Sequence, residues 1–288
     1  MVSPFLIFPF RGWCLCRLIG LCALLCGSGV PLLLAERALV PADGTLEASR
    51  DAILEAAEEG DEPVQAMELA GIEPRLASIL RRYYERSFGG ESNWARIESF
   101  RFEGTLRMPQ GTLGFRAFKK KPNLCRIVLN SPTGVQIIMS YDGQDAWQLN
   151  PLVAPEPVAM SAKEARNFIR DADTGSHLLF PTVPGKTIEL LGTRRVGEIL
   201  CYDLQVTLPN GQVVIYAIDI VEFKEQQQIL ENAVSGDTEV ITHSRHRRIE
   251  GIMIPVASTM TIDDEFVHEV NIDRVQINRG VMPWMFER

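Results

Sequence analysis

His243 and His246, with Glu250 close behind, are residue types that hold zinc or copper. On a helix an H-x-x-H pair can share a face. Val240 to Ile249 alternates as a strand does, however, and strand residues three apart point to opposite faces. The pair is therefore expected at solvated edge positions and not around one ion. Asp263-Asp264-Glu265, near His268, offers paired carboxylates for acid–base work, yet three consecutive acids between two strand-like runs read as a solvated turn. Lys119-Lys120-Lys121-Pro122 has the chemistry of a phosphate or lipid-headgroup patch, against the plainer reading of a solvated turn. No nucleophile stands beside a base in a recognisable spacing, and neither a Gly-rich phosphate loop nor a zinc spacing occurs. The residues point to no catalytic group, no metal and no cofactor.

The elements that would position these groups follow from the chain as a whole. It has 288 residues, 46% hydrophobic and 23% charged. The first 35 contain Arg11 and Arg17, no acid, and an uncharged run from Leu18 to Ala35, which reads as a secretory signal cleaved near Ala35. The competing reading is an uncleaved membrane anchor, which Gly27-Ser28-Gly29 and Pro31 interrupt. Without that segment 27 basic residues (29 less the two arginines) face 37 acidic ones, a net charge of −10. An acidic exported domain is a poor partner for nucleic acid. Four of the six cysteines also lie in the signal; Cys125 and Cys201 either form one bridge or pack as buried thiols. Residues 36–62 are acidic and alanine-rich and are expected to be a mobile leader.

From Pro63 to Phe88 the apolar residues Ile72, Leu76, Ile79, Leu80, Tyr83 and Tyr84 fall at helical spacing, with Pro74 near the start and Gly89-Gly90 as the stop. The period then changes to two. Strand-like runs occur at 98–108, 112–119, 124–130, 134–141 and 145–149, and again at 187–191, 199–208, 212–220, 226–231, 238–249, 252–262 and 266–277. Short links between them predict a curled antiparallel sheet. Residues 151–185 break the pattern with five prolines and a helical stretch, 161–170, that opens on the capping box Ser161–Glu164. An excursion of that length is expected to cover an open sheet.

At Lys120-Lys121-Pro122-Asn123-Leu124, followed by Tyr141-Asp142-Gly143-Gln144-Asp145-Ala146-Trp147-Gln148-Leu149-Asn150-Pro151, the chain resembles the LolA-like family of periplasmic lipoprotein carriers and related lipid-binding sensors. The tail adds Gly251-Ile252-Met253-Ile254-Pro255, an acidic turn, Val275-Gln276-Ile277-Asn278 and a terminal Met285-Phe286. The resemblance implies an α+β fold over residues 63–288: a curled antiparallel sheet forming a half-open β-barrel, covered by a helical lid inserted at about 151–185. It departs from the carriers at Lys121, where they place a lid-holding arginine, and at Cys125, where they place a large aromatic. Lysine is a point donor and not a planar fork, which weakens the case for a strict carrier latch.

The function implied is non-enzymatic binding of acyl chains, lipoproteins or other lipid in the periplasm, by a monomer that exchanges cargo with an inner-membrane donor and an outer-membrane acceptor. Two rivals stay open: an envelope-stress sensor using the same fold, and an exported lipid hydrolase. The expected cavity wall is Val135, Ile137, Met139, Trp147, Leu149, Tyr202, Leu204 and Val206, with Lys121 and Phe168 touching the lid. Such a wall requires Trp147 and Leu149 to share a face with Val135, Ile137 and Met139. That selects a three-residue Tyr141-Asp142-Gly143 loop, with Trp147 opposite Ile137, over a two-residue Asp142-Gly143 loop, because a one-residue slip changes the face.

Overall fold

A computed structural model describes residues 67–288 apart from 173, 210 and 232–236. The signal expected at 1–35 and the leader expected at 36–62 lie outside the described residues. Helix α1 (Pro74–Tyr83) opens with proline in its first turn, and the Glu73 carboxylate accepts from the backbone N–H of Arg75 at 2.9 Å and Leu76 at 2.8 Å. A π-helical turn (Tyr84–Phe88) ends at Gly89, whose φ of 71° is the left-handed conformation a helix stop favours. A short helix α2 (Glu91–Ala95), not foreseen in the sequence, then presents Trp94 to the interior.

Strands β1 (Ser99–Met108), β2 (Gly111–Lys120), β3 (Leu124–Asn130), β4 (Gln136–Tyr141) and β5 (Ala146–Leu149) form one meander, ending in a two-residue β6 (Val158–Ala159). After helix α3 (Ala162–Arg170) come β7 (Thr187–Val196), β8 (Ile199–Thr207), β9 (Val213–Asp219) and β10 (Glu225–Glu231). β11 (Thr238–Ile249), β12 (Ile252–Ile262) and β13 (Glu265–Ile277) complete the second meander. All pair antiparallel in one 13-stranded sheet, and the first and last long strands, β1 and β13, join the two meanders. Strand β7 runs past the expected end at 191 because Gly192 sits in a register shift between Leu190 and Gly192 and does not terminate pairing.

The sheet order runs from β6 at one edge to β7 at the other, so the sheet does not close. The connection between β6 and β7, which carries α3, must therefore pass from one edge to the other. That topology turns the excursion into a roof. Its capping box forms as expected, with Ser161 Oγ accepting from Glu164 N–H and the Glu164 carboxylate accepting from Ser161 N–H at 3.0 Å.

One face of the sheet carries the main core. Phe102, Ala117, Ile127 and Met139 stand side by side on four successive strands, and Ile188, Val206 and Val214 do so in the other meander. Both rows join α1 (Leu76, Ile79, Leu80, Tyr83) and the roof residues Phe168, Leu178 and Leu179 in one buried cluster. A smaller cluster on the opposite face joins Phe118, Val128, Val281 and Phe286, with Leu124, Ile138 and Met285 against it. β1 bulges between Glu103 and Gly104, and there a Cβ on Gly104 would lie 2.0 Å from the Asn271 carbonyl oxygen.

Candidate functional site

The inner face receives Ile137, Met139, Tyr202, Leu204 and Val206, all packed in or against the main cluster. Val135 precedes β4, and its carbonyl accepts from Ser131 N–H at 2.9 Å. Trp147 and Leu149 are a correction. The β4–β5 register pairs Ser140 with Trp147 and Ile138 with Leu149, so both sit on the face away from Ile137 and Met139, and Gln148 stands opposite Met139. The loop has neither two nor three residues between the paired Tyr141 and Ala146 but four, Asp142 to Asp145. The Asp142 carboxylate accepts from Gln144 N–H at 2.9 Å and Asp145 N–H at 2.8 Å. An aspartate that caps two following amides holds the longer turn together, a possibility the Asp-Gly signal alone does not convey.

Trp147 is nevertheless only 4% exposed, because the C-terminal 3₁₀ turn (Pro283–Phe286) lies over it. Its indole N–H donates to the Phe286 carbonyl at 3.1 Å, Ser140 Oγ donates to the same oxygen at 2.8 Å, and the Arg126 guanidinium lies 5.3 Å from the ring centroid. This tryptophan anchors the chain terminus on the outer face.

A cavity of about 70 Å³ lies on the inner side, between α1, α2, the roof and the sheet. One wall is an aromatic run. Tyr83 meets Phe88 at 5.6 Å, Phe88 meets Trp94 at 5.1 Å, Trp94 meets Phe100 at 6.5 Å and Phe100 stacks on Phe102 at 5.7 Å. Ile252 and Ile254 also line the cavity, and Ser87, Ser176, Tyr216, Glu225, Gln228 and His246 bring polar groups to it. The sequence reading did not single out Glu225. Glu225 opens β10 just before the strand-like run at 226–231, and alternation within that run says nothing of it.

The roof meets the sheet through charged groups. Lys119, in β2, is fully buried, and its ammonium donates to the Asp171 carbonyl at the end of α3. Arg170 pairs with the Asp171 carboxylate at 2.6 Å, both side chains being buried. Burial pushes the Asp171 carboxyl upward, against the pull of Arg170 and Lys119. His177 Nδ1 hydrogen-bonds the Tyr216 hydroxyl, and burial holds this imidazole well below the usual histidine range. Phe168, on α3, is fully buried in the main cluster, and the lysine that reaches this segment is Lys119, not Lys121. Lys121 instead donates to the Trp94 carbonyl at 2.7 Å and lies 4.1 Å from the Trp94 ring centroid. The lysine run is thus no solvated turn at Lys119 or Lys121.

His243 and His246 also differ from expectation. Register shifts on either side of Arg245 interrupt the alternation of β11, and the two rings come within 5.9 Å of each other. Both lie in an interior strand, not at an edge. His243 hydrogen-bonds Ser258 Oγ at 2.7 Å, His246 Nε2 bonds the Glu225 carbonyl at 2.7 Å, and burial pushes His243 down to about 3. Among the described residues no group of three or more His, Cys, Asp or Glu is placed to hold a metal ion. Asp263 and Asp264 form the exposed turn expected of them, both at positive φ. No disulfide joins Cys125 to Cys201; both are buried, on β3 and β8.

No family model and no curated protein matches the sequence. Solved structures do match the fold. A DUF1329 family protein from Desulfovibrio piger aligns with a TM-score of 0.55 at 15% identity, over 74% of this chain and 97% of that one. A LolA superfamily protein from Nitrosomonas europaea aligns with a TM-score of 0.51 at 18% identity, over 73% and 96%. An outer membrane lipoprotein-sorting protein domain from Vibrio parahaemolyticus aligns with a TM-score of 0.50 at 11% identity, over 73% and 95%. The fold is LolA-like, as the basic-Pro-Asn and Asp-Gly-hairpin motifs suggested: a large, open, curled antiparallel sheet under a helical cover.

Proposed function

We propose that this protein binds the acyl chains of lipoproteins or other lipids between its sheet and its helical roof, without catalysis, in the periplasm. The observation that carries the proposal is the seam between roof and sheet. Apolar side chains fill the interior, Ile137, Met139, Tyr202, Leu204 and Val206 among them, but at the seam the buried Lys119 ammonium reaches from the sheet to the Asp171 carbonyl, beside the Arg170–Asp171 pair buried within the roof. A permanently closed core gains nothing from buried charge, because each ion loses several kcal/mol of hydration. A roof that lifts exchanges those contacts for water at little net cost.

The size of the cavity fits this reading. At about 70 Å³ it is well below the roughly 300–1,000 Å³ of a pocket for a drug-sized ligand, so a chain enters only as the roof, which lines it through Gly175 and Ser176, moves outward. Each methylene buried on entry would contribute about 0.8 kcal/mol. The lipoprotein-sorting name of the Vibrio parahaemolyticus domain is consistent with such a ligand. Donor and acceptor proteins at the two membranes would be its partners. Among the described residues no helix is long and apolar enough to cross a membrane.

Titration with a fluorescent fatty acid tests the proposal. Saturable binding is expected, with no hydrolysis of acyl esters by the same preparation. A well-folded protein that takes up no acyl probe and no lipoprotein would overturn it.

A further inference from the structure

Glu225 presents a carboxylate to the cavity from a position between α1, the roof and the sheet. Oε1 accepts from the Tyr83 hydroxyl and from Ser176 Oγ at 2.7 Å, and Oε2 accepts from Gln228 Nε2 at 3.1 Å. All three donors are neutral. Burial dominates the group's environment and pushes its pKa up, and the three hydrogen bonds pull it back only in part. A carboxylate has room for about four donors, so Oε2 keeps an acceptor position, and the residue is only partly buried, with surface on the cavity.

An interior shaped for acyl tails alone has no use for an ionisable group, since a buried carboxylate without a counter-charge is costly. A cation supplied from outside removes that cost. The aromatic lining suits one as well. Tyr83, Phe88 and Phe100 present aromatic rings, which attract ammonium groups and the methylenes next to them. Trp94 already carries the Lys121 ammonium 4.1 Å from its ring centroid.

We propose that the cavity takes the ammonium head of an amphiphilic amine, with Glu225 as its counter-charge, Tyr83, Phe88 and Phe100 around the adjoining methylenes, and the tail beneath the roof. The inference rests on the acyl-binding reading and names its ligand class. A cavity of about 70 Å³, well below the roughly 300–1,000 Å³ of a pocket for a drug-sized ligand, has room for a head group and not for a chain.

Calorimetric titration of the purified protein at pH 7 with octylammonium, octanoate and octanol, all monomeric in solution, tests this. Octylammonium should bind most tightly, and Glu225→Gln should weaken it by about tenfold or more, the worth of a charge-assisted hydrogen bond, and remove its advantage over octanol. The head-group order on the unmodified protein needs no variant, so a misfolded Glu225→Gln would not blunt the test. Octanoate or octanol binding as tightly as octylammonium would overturn the ammonium site and leave acyl binding standing. Failure of all three, together with the longer fluorescent fatty acid, would overturn both.

Discussion

His268 is 1% exposed, and neither of its ring nitrogens has a hydrogen-bond partner among the described residues. Burial pushes its pKa down to about 4, and His243 behaves alike at about 3. A histidine whose folded pKa lies below its unfolded value of 6.5 binds its proton only in the unfolded chain between those limits. Its penalty is absent above pH 6.5 and grows as the pH falls toward 4. The urea midpoint should therefore drop between pH 6.5 and 4 as far as the histidines dominate, while the raised Asp171 and Glu225 carboxyls, which take up protons first in the folded chain, work against that loss. His268→Leu should flatten part of that slope and, by removing two unsatisfied buried nitrogens, raise stability by about 1–2 kcal/mol at pH 7. A variant less stable than the parent at both pH values would show that the ring nitrogens have partners after all. Residues of this kind were poorly legible in the sequence. His268, His243 and Lys119 are residue types of surface strands, yet they are buried, and Glu225 is partly so, through bulges and a roof packed on from elsewhere in the chain. The apolar inner wall was legible, since Ile137, Met139, Leu204 and Val206 fall on one face by alternation alone.

At the scale of elements, twelve strand-like runs appear where periodicity places them, and the helix expected over 63–88 begins only at Pro74, with residues 67–73 in turns and irregular backbone; the register between neighbours does not follow from periodicity. The β4–β5 hairpin shows why. The same Asp-Gly supports two-, three- and four-residue loops, and the Asp142 side chain, bonding two amides ahead, selects the last. Trp147 changes face as a result. The bulge at Glu103/Gly104 is a second feature alternation cannot reveal: it turns β1 along β13 at the joint between the two meanders. Close approach to the Asn271 carbonyl admits no side chain there. Gly104→Ala should destabilise the protein by about 3 kcal/mol, the upper range for overpacking, read as a fall in the urea midpoint with an unchanged slope. A neutral substitution would mean that the joint can relax without loss of pairing.

For the whole molecule, the sheet has two apolar faces with different owners. The inner face is covered by α1, α2 and the roof, and the outer face of β2 to β5 is covered by the C-terminal turn, with Phe286 fully buried against Phe118, Val128 and Val281. If ligand binding belongs to the inner face alone, the two can be uncoupled. Phe286→Ala should cost about 3–5 kcal/mol, as deletion of a buried phenylalanine does, and should shift the emission of Trp147 toward that of a solvated indole. The affinity for a fluorescent fatty acid, measured where the variant is still folded, should stay within about twofold, well below the tenfold that 1.4 kcal/mol represents. The alternative is concrete. A variant that keeps its fold but loses the probe would place the acyl site on the outer face, restore Trp147 and Leu149 to it, and make the C-terminal turn, not α3, the element that opens.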